Sequence, residues 1–186
     1  LFTFGFIGRS KGIETVIKAL PEVVKKYPEL IYIVLGKTHP NVLRHSGEEY
    51  RIFLLRLAKS LELENHVTFL NEFVEEQELF KYLYACDIYI TPYLNEAQIT
   101  SGTLSYAVGT GAAVLSTPYW HAAELLAEGR GRLFRFNDSD DLAKTLTELF
   151  NHPEELKELK NKAGEYGKKI TWPKTVWLNL PPSFIR

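Results

Sequence analysis

Methionine is absent from this 186-residue chain, cysteine occurs once, and neither sign of charge is in excess, with 22 basic against 23 acidic residues. Each lack excludes something. The single Cys86 cannot close an internal disulfide, which fits a reducing compartment and a cytoplasmic location. A balanced charge leaves no net field to hold nucleic acid or an anionic membrane, so neither is an expected partner. No apolar run approaches the roughly 20 residues of a membrane span, and nothing at the start has the layout of a signal peptide. Opening on Leu1 without a methionine, the chain is expected to be a piece of something longer. What is present is 45% hydrophobic and 13% aromatic, enough to bury one full core.

Apolar residues fall alternately into short continuous runs and into stripes at helical spacing. The runs Leu1 to Ile7, Ile31 to Leu35, His66 to Leu70, Ile88 to Thr91, Ala113 to Ser116 and Gly131 to Phe136 read as strands. Between them, helices are expected over Lys11 to Lys26 with a kink at Pro21, about Gly47 to Leu61, Glu75 to Ala85, Ser101 to Val108 and Ala122 to Ala127. Two more close the pattern, Ser139 to Phe150 and Pro153 to Tyr166, with Ser139 and Asn151 or His152 near their starts. The segment between Leu35 and Gly47 reads as a polar loop. Buried strands separated by helices specify an α/β fold, a Rossmann-like doubly wound parallel sheet of about six strands flanked by helices. No internal repeat interrupts the pattern.

Ligands of such sheets sit beyond the carboxyl ends of the strands, so the loops after Ile7, Leu35, Leu70, Thr91 and Ser116 hold the candidates. After the first strand comes Gly8-Arg9-Ser10-Lys11-Gly12, where glycines permit close backbone approach and Arg9 or Lys11 can meet a phosphate. A tight turn with two solvated cations is the plain alternative. The next loop carries Lys37, Thr38, His39, Arg44 and His45. Two histidines six apart with no carboxylate pair fixed beside them make a poor metal site, and surface or hydrogen-bonding roles suit them better. The most informative stretch is Thr91 to Arg132, a strand end, a polar loop, a small-residue helix start and a second strand. There Ser101, Gly102 and Thr103 open a helix, and their backbone N–H groups can face an anion at its positive end.

The segments GFIGRSKGIETVIKAL, YIVLG, HVTFLNEFVEEQELFKYLYACDIYITPY and QITSGTLSYAVGTGAAVLSTPYWHAAELL, in that order, resemble the carboxyl-terminal, donor-binding domain of a GT-B retaining glycosyltransferase of the GT4 kind. The resemblance covers about residues 2 to 178. It implies a donor-binding domain over 1–178, a tail or linker over 179–186, and an amino-terminal acceptor domain that is absent from this sequence. It implies sugar transfer from a nucleotide-diphospho-sugar to an acceptor, with retention, by a longer protein of which this piece alone is inactive. It implies no cofactor and no metal.

Carried over by residue, Lys11 falls where the family's lysine meets the donor diphosphate, while the family's arginine, five residues earlier, falls on Phe6; Arg9 is a nearby substitute. The two glutamates that in the family contact the donor sugar and the ribose hydroxyls fall on Gln98 and Tyr106. Gln98 keeps an acceptor for a sugar hydroxyl; Tyr106 cannot clamp a diol as a carboxylate does. Glu96 is an alternative carboxylate. After the fifth strand the family's Gly-Gly pair becomes Trp120-His121, and its glutamate is kept as Glu124. Tyr119, Trp120 and His121 can line a sugar or base, or pack and bond the backbone instead. Trp172 resembles the aromatic start of the family's last helix. The donor-side set is therefore Gly8, Arg9, Lys11, Gln98, Ser101, Gly102, Thr103, Tyr106, His121 and Glu124, with Lys11 and Gln98 nearest the chemistry. With both acids replaced, a catalytically silent sugar-nucleotide or phosphate-binding module is the main alternative; a different GT-B activity and a purely structural domain are weaker ones.

Overall fold

In the computed structural model, which describes residues 1–169, six parallel strands form one sheet in the order β3-β2-β1-β4-β5-β6. The strands are β1 (Phe2–Phe4), β2 (Tyr32–Leu35), β3 (Val67–Leu70), β4 (Ile88–Thr91), β5 (Ala113–Ser116) and β6 (Arg132–Leu133). The helices are α1 (Ile13–Val24), α2 (Pro40–Ser46), α3 (Glu49–Ser60), α4 (Glu76–Ala85), α5 (Gly102–Gly109), α6 (Trp120–Leu125), α7 (Ser139–Asn151) and α8 (Pro153–Gly167). The strand order reverses between β1 and β4, so a crevice opens there at the carboxyl ends of the strands. Trp172, the expected boundary at 178 and the tail 179–186 lie outside the described residues.

Alternation along the strands builds two cores. Tyr32, Val34, Ile88, Ile90, Ala113 and Leu115 face α1, α3 and α7, where Val16, Leu20, Leu54 and Leu146 are buried. Phe2, Tyr89 and Val114 face the other way, against Phe80, Leu104, Ala107 and Ala122 of α4, α5 and α6. Covering both faces is what lets the central strands β4 and β5 be buried at every position.

Several boundaries move from the sequence reading. The first strand ends at Phe4 because Gly5 turns to φ +119, although Ile7 still forms an isolated parallel bridge with Thr38. Residues 9–11 form a single 3-10 turn, and Gly12 in the left-handed region separates it from α1. A Cβ at Gly12 would stand 2.2 Å from the Pro92 carbonyl oxygen, so this glycine permits contact between the β1 loop and the β4 exit. α1 continues through Pro21 to Val24. The expected polar loop contains α2, started by Pro40 and capped by His39, whose Nδ1 accepts from the Asn41 N–H at 3.1 Å. α6 starts two residues early, at Trp120, and α7 is capped by Asp138 rather than Ser139. The sixth strand shrinks to Arg132–Leu133 at the sheet edge.

Candidate functional site

At the switch point the exit of β4 supports two loops. Leu94 N–H donates to the Ser10 carbonyl at 3.0 Å, fixing the loop 8–12, and Tyr93 lies buried directly behind it. The Lys11 ammonium rests over the Tyr93 ring, 3.7 Å from its centroid. Among the described residues it forms no ion pair, and burial alone lowers its pKa to about 8. The Tyr93 hydroxyl shares a 2.7 Å hydrogen bond with Thr103 Oγ1 in the first turn of α5. Thr103 also approaches β1: a Cβ at Gly5 would meet its methyl group at 3.1 Å. Gly5, Gly8, Arg9, Lys11 and Thr103 therefore border one cleft of about 780 Å³, within the size of small-molecule sites. Its far wall is aromatic and apolar, formed by Phe4, Phe6, Tyr50, Phe73, Val74 and Leu79.

The start of α5 differs from the sequence expectation in one donor. Ser101 caps the helix, its Oγ accepting from Leu104 N–H at 3.3 Å. The Ser101 N–H itself donates to His121 Nδ1 at 2.9 Å. That amide does not face an anion; Gly102 and Thr103 supply the donors left at the positive end of the helix. An imidazole that accepts at Nδ1 carries its proton on Nε2. Burial lowers the His121 pKa against the opposing pull of Glu124, which keeps this acceptor neutral.

Three other candidates have their polar groups engaged by protein partners. Arg9 pairs with Glu49 at 2.8 Å and lies over Tyr50 and Phe53, with centroids at 5.6 and 5.8 Å, so it faces α3 while Lys11 faces β4. Gln98 donates its side-chain amide to the Thr100 carbonyl at 2.9 Å, closing its own loop. Tyr106 is half-buried, its ring edge-on to Phe4, and it donates its hydroxyl to Glu76 Oε1 at 2.9 Å. The loop before α5 is tied to α6 by Trp120 N–H on the Glu96 carbonyl at 2.9 Å and His121 N–H on the Gln98 carbonyl at 3.1 Å. The Glu96 backbone is thus engaged with α6. Glu124 lies on α6, where its carbonyl accepts from Arg130 at 3.2 Å. At the start of the first helix, the Ile13 N–H donates to the Tyr50 hydroxyl at 3.2 Å and the Thr15 N–H to the Gly12 carbonyl at 2.9 Å. Among the described residues no group of three His, Cys, Asp or Glu side chains could hold a metal ion.

Sequence reasoning missed Tyr93 and the wall formed by Tyr50 and Phe73. A tyrosine after Thr91-Pro92 at a strand exit was the available signal for the first. The aromatic wall comes from segments far apart in sequence and has no local signature.

The model of the family described as glycosyl transferases group 1 matches residues 1–170. The chain belongs to this family. It is 25% identical over 146 residues to a phosphatidyl-myo-inositol mannosyltransferase of Mycolicibacterium smegmatis, covering 76% of this chain and 34% of that protein. Among solved structures it is similar to Anabaena Alr3699/HepE in complex with UDP, with a TM-score of 0.78, 21% identity, and coverage of 90% of this chain and 43% of that one. It is also similar to the carboxyl-terminal domain of the glycosyl transferase group 1 protein LpcC of Francisella tularensis, with a TM-score of 0.77, 19% identity, and coverage of 91% and 85%. The chain spans about a third of the mannosyltransferase and under half of HepE. The six-stranded Rossmann-like domain is thus that of a GT-B glycosyltransferase, as the sequence motifs implied. No helix of the described residues is long and apolar enough to cross a membrane.

Proposed function

We propose that this domain binds the nucleotide-diphospho-sugar donor of a GT4-type retaining glycosyltransferase and stabilises the departing nucleotide diphosphate. The observation that carries the reading is Lys11: a half-buried ammonium without a carboxylate partner among the described residues, beside the cleft that the start of α5 also borders. A desolvated cation in that setting lacks a counter-charge, and a diphosphate supplies it. Amides of Gly102 and Thr103 add donors fixed before the ligand arrives, as leaving-group stabilisation requires. The apolar wall of Phe6, Phe73, Val74 and Leu79 suits the flat face of a nucleobase. A relative similar in fold is described with UDP-glucose, which makes a uridine nucleotide the first ligand to try.

In this reading transfer needs an amino-terminal acceptor domain of the same, longer protein, so residues 1–186 bind donor without transferring sugar to an acceptor. The reaction retains anomeric configuration, takes place in the cytoplasm and requires neither cofactor nor metal; the cations are the protein's own. A second reading is a catalytically silent donor-binding module. It is favoured by Gln98, whose amide is folded onto Thr100 rather than into the cleft.

The test is titration of the 186-residue chain with UDP and with uridine. Lys11→Met is expected to weaken UDP binding by about 1–3 kcal/mol, the range for a charge-assisted contact, and to leave uridine binding unchanged. Its melting temperature without ligand should not fall, because the substitution removes a desolvated charge. Equal losses for both ligands would refute the diphosphate role. Transfer by the full-length protein separates an enzyme from the silent module.

A further inference from the structure

Two structural elements in the cleft wall, the 8–12 loop and the first turn of α5, come from opposite sides of the switch point. One buried side chain touches both. Tyr93 is 1% exposed, and its ring stacks on Tyr119 with centroids 5.2 Å apart and planes 17° from parallel. Thr117 Oγ1 donates to the Tyr93 carbonyl at 2.6 Å, so its backbone is held from the β5 exit as well. The ring of a side chain fixed in this way has no freedom to follow Lys11. The ammonium 3.7 Å above it is therefore located by the ring, and Thr103 Oγ1 is located by the hydroxyl at 2.7 Å.

We infer that Tyr93 is a positioning residue for the donor diphosphate: its ring places Lys11, its hydroxyl places Thr103, and together they set the distance across which the two phosphates are gripped. This rests on the reading of the cleft as a diphosphate site. The ring and the hydroxyl have separable tasks. The face of an aromatic ring attracts a cation electrostatically, and phenylalanine provides that face as well as tyrosine does. The hydroxyl acts on the first turn of α5, through Thr103 Oγ1 at 2.7 Å and through Ser101, whose Oγ lies 3.2 Å from Thr103 Oγ1. A buried tyrosine with a purely structural role would weaken the fold when changed, but its effect on ligand binding would not depend on which residue stood at position 11 or 103.

The experiment measures UDP dissociation constants for the 186-residue chain carrying Tyr93→Phe, Thr103→Val, both, Tyr93→Leu, Lys11→Met, and Tyr93→Leu with Lys11→Met. Tyr93→Phe and Thr103→Val are each expected to weaken binding by about 3- to 10-fold, the worth of one hydrogen bond, and the pair by no more than either alone. Tyr93→Leu should lose more than Tyr93→Phe, and that extra loss should vanish in the Lys11→Met background. Additive losses at 93 and 103, or an unchanged affinity in Tyr93→Phe, would overturn the inference. Should Tyr93→Leu fail to fold, the Tyr93→Phe and Thr103→Val pair decides the matter by itself. If Lys11→Met alone leaves UDP binding unchanged, it is the diphosphate reading that fails. A loss in Lys11→Met with no loss in Tyr93→Phe defeats only the role of Tyr93.

Discussion

The N–H of Ser101 donates to Nδ1 of His121 at 2.9 Å, joining the first turn of α5 to the start of α6 across the polar loop between β4 and α5. This bond requires a neutral imidazole. Burial holds the His121 pKa below its ordinary 6.5, so an unfolded chain binds a proton here more readily than the folded one. The contribution is fully present above pH 6.5 and is lost as pH falls from there through the lower folded value. His121→Gln keeps an acceptor for the Ser101 N–H but does not titrate. Its stability relative to the unaltered chain should therefore rise as the pH is lowered from 7 to 5, measured by urea denaturation, and parallel curves would contradict the assignment. His121→Ala, which leaves a buried amide without an acceptor, should cost about 1–3 kcal/mol at pH 7.

What could be read from the sequence depended on whether the cause was local. The fourth and fifth strands were legible to the residue, because Ile88–Thr91 and Ala113–Ser116 are buried at every position and so read as unbroken runs. Arg132–Leu133 was overextended, since an edge strand with half its neighbours missing is ended by pairing geometry, which no local pattern records. α2 buries none of its residues and shows no apolar stripe; only Pro40 and His39 mark its start. Lys11 stood out because a cation between glycines is a local signal. The pairing of Ser101 with His121, twenty residues apart, and the Tyr106 bond to Glu76, thirty apart, are tertiary and had no trace in spacing.

Gly12 tests how firmly the loop carrying Lys11 is set. With φ at +61 and the Pro92 carbonyl 2.2 Å from where a Cβ would stand, Gly12→Ala meets both a left-handed backbone and a collision with main chain. The backbone conformation alone costs about 1–3 kcal/mol, and the collision adds to it. A clear drop in melting temperature is expected, together with weaker UDP binding, because the loop carrying Lys11 must move. An unchanged melting temperature in Gly12→Ala would show that the loop yields freely.

Gln98 tests whether a side chain now closing its own loop can also serve a sugar. Its amide nitrogen is engaged with Thr100, leaving the side-chain oxygen to accept from a hydroxyl. If it does so, Gln98→Ala lowers affinity for UDP-glucose by about 0.5–1.5 kcal/mol and leaves UDP nearly unchanged. If the amide only shapes the loop, both ligands lose alike, since Gly102 and Thr103 lie just beyond it. Titration of both ligands into both proteins distinguishes the cases, and an equal loss would remove Gln98 from the donor-sugar contacts.

Tyr106 is the position to which the sequence resemblance assigns an acid, and its bond to Glu76 is a reason for simply restoring that acid to fail here. The hydroxyl of Tyr106 donates to Glu76, so the neighbouring carboxylate already sits on the side from which a glutamate at 106 would be reached. Tyr106→Phe removes the hydroxyl and leaves the ring against Phe4 and Phe80; for a largely exposed pair the loss should be small, about 0.5 kcal/mol. Tyr106→Glu replaces that attraction with two like charges one helix apart and also gives up the ring packing. It should melt well below Tyr106→Phe, and part of the deficit should be recovered by salt, since exposed charges are screened within about 8 Å at physiological ionic strength. The decisive variant is Tyr106→Glu with Glu76→Gln, which keeps the new acid and removes its rival. It should regain stability over Tyr106→Glu alone. If repulsion by Glu76 is also what keeps an acid at 106 from the ribose hydroxyls, only this double variant should gain discrimination for UDP over 2′-deoxy-UDP. A double variant no more stable than the single one would show that the penalty comes from the lost ring and not from Glu76.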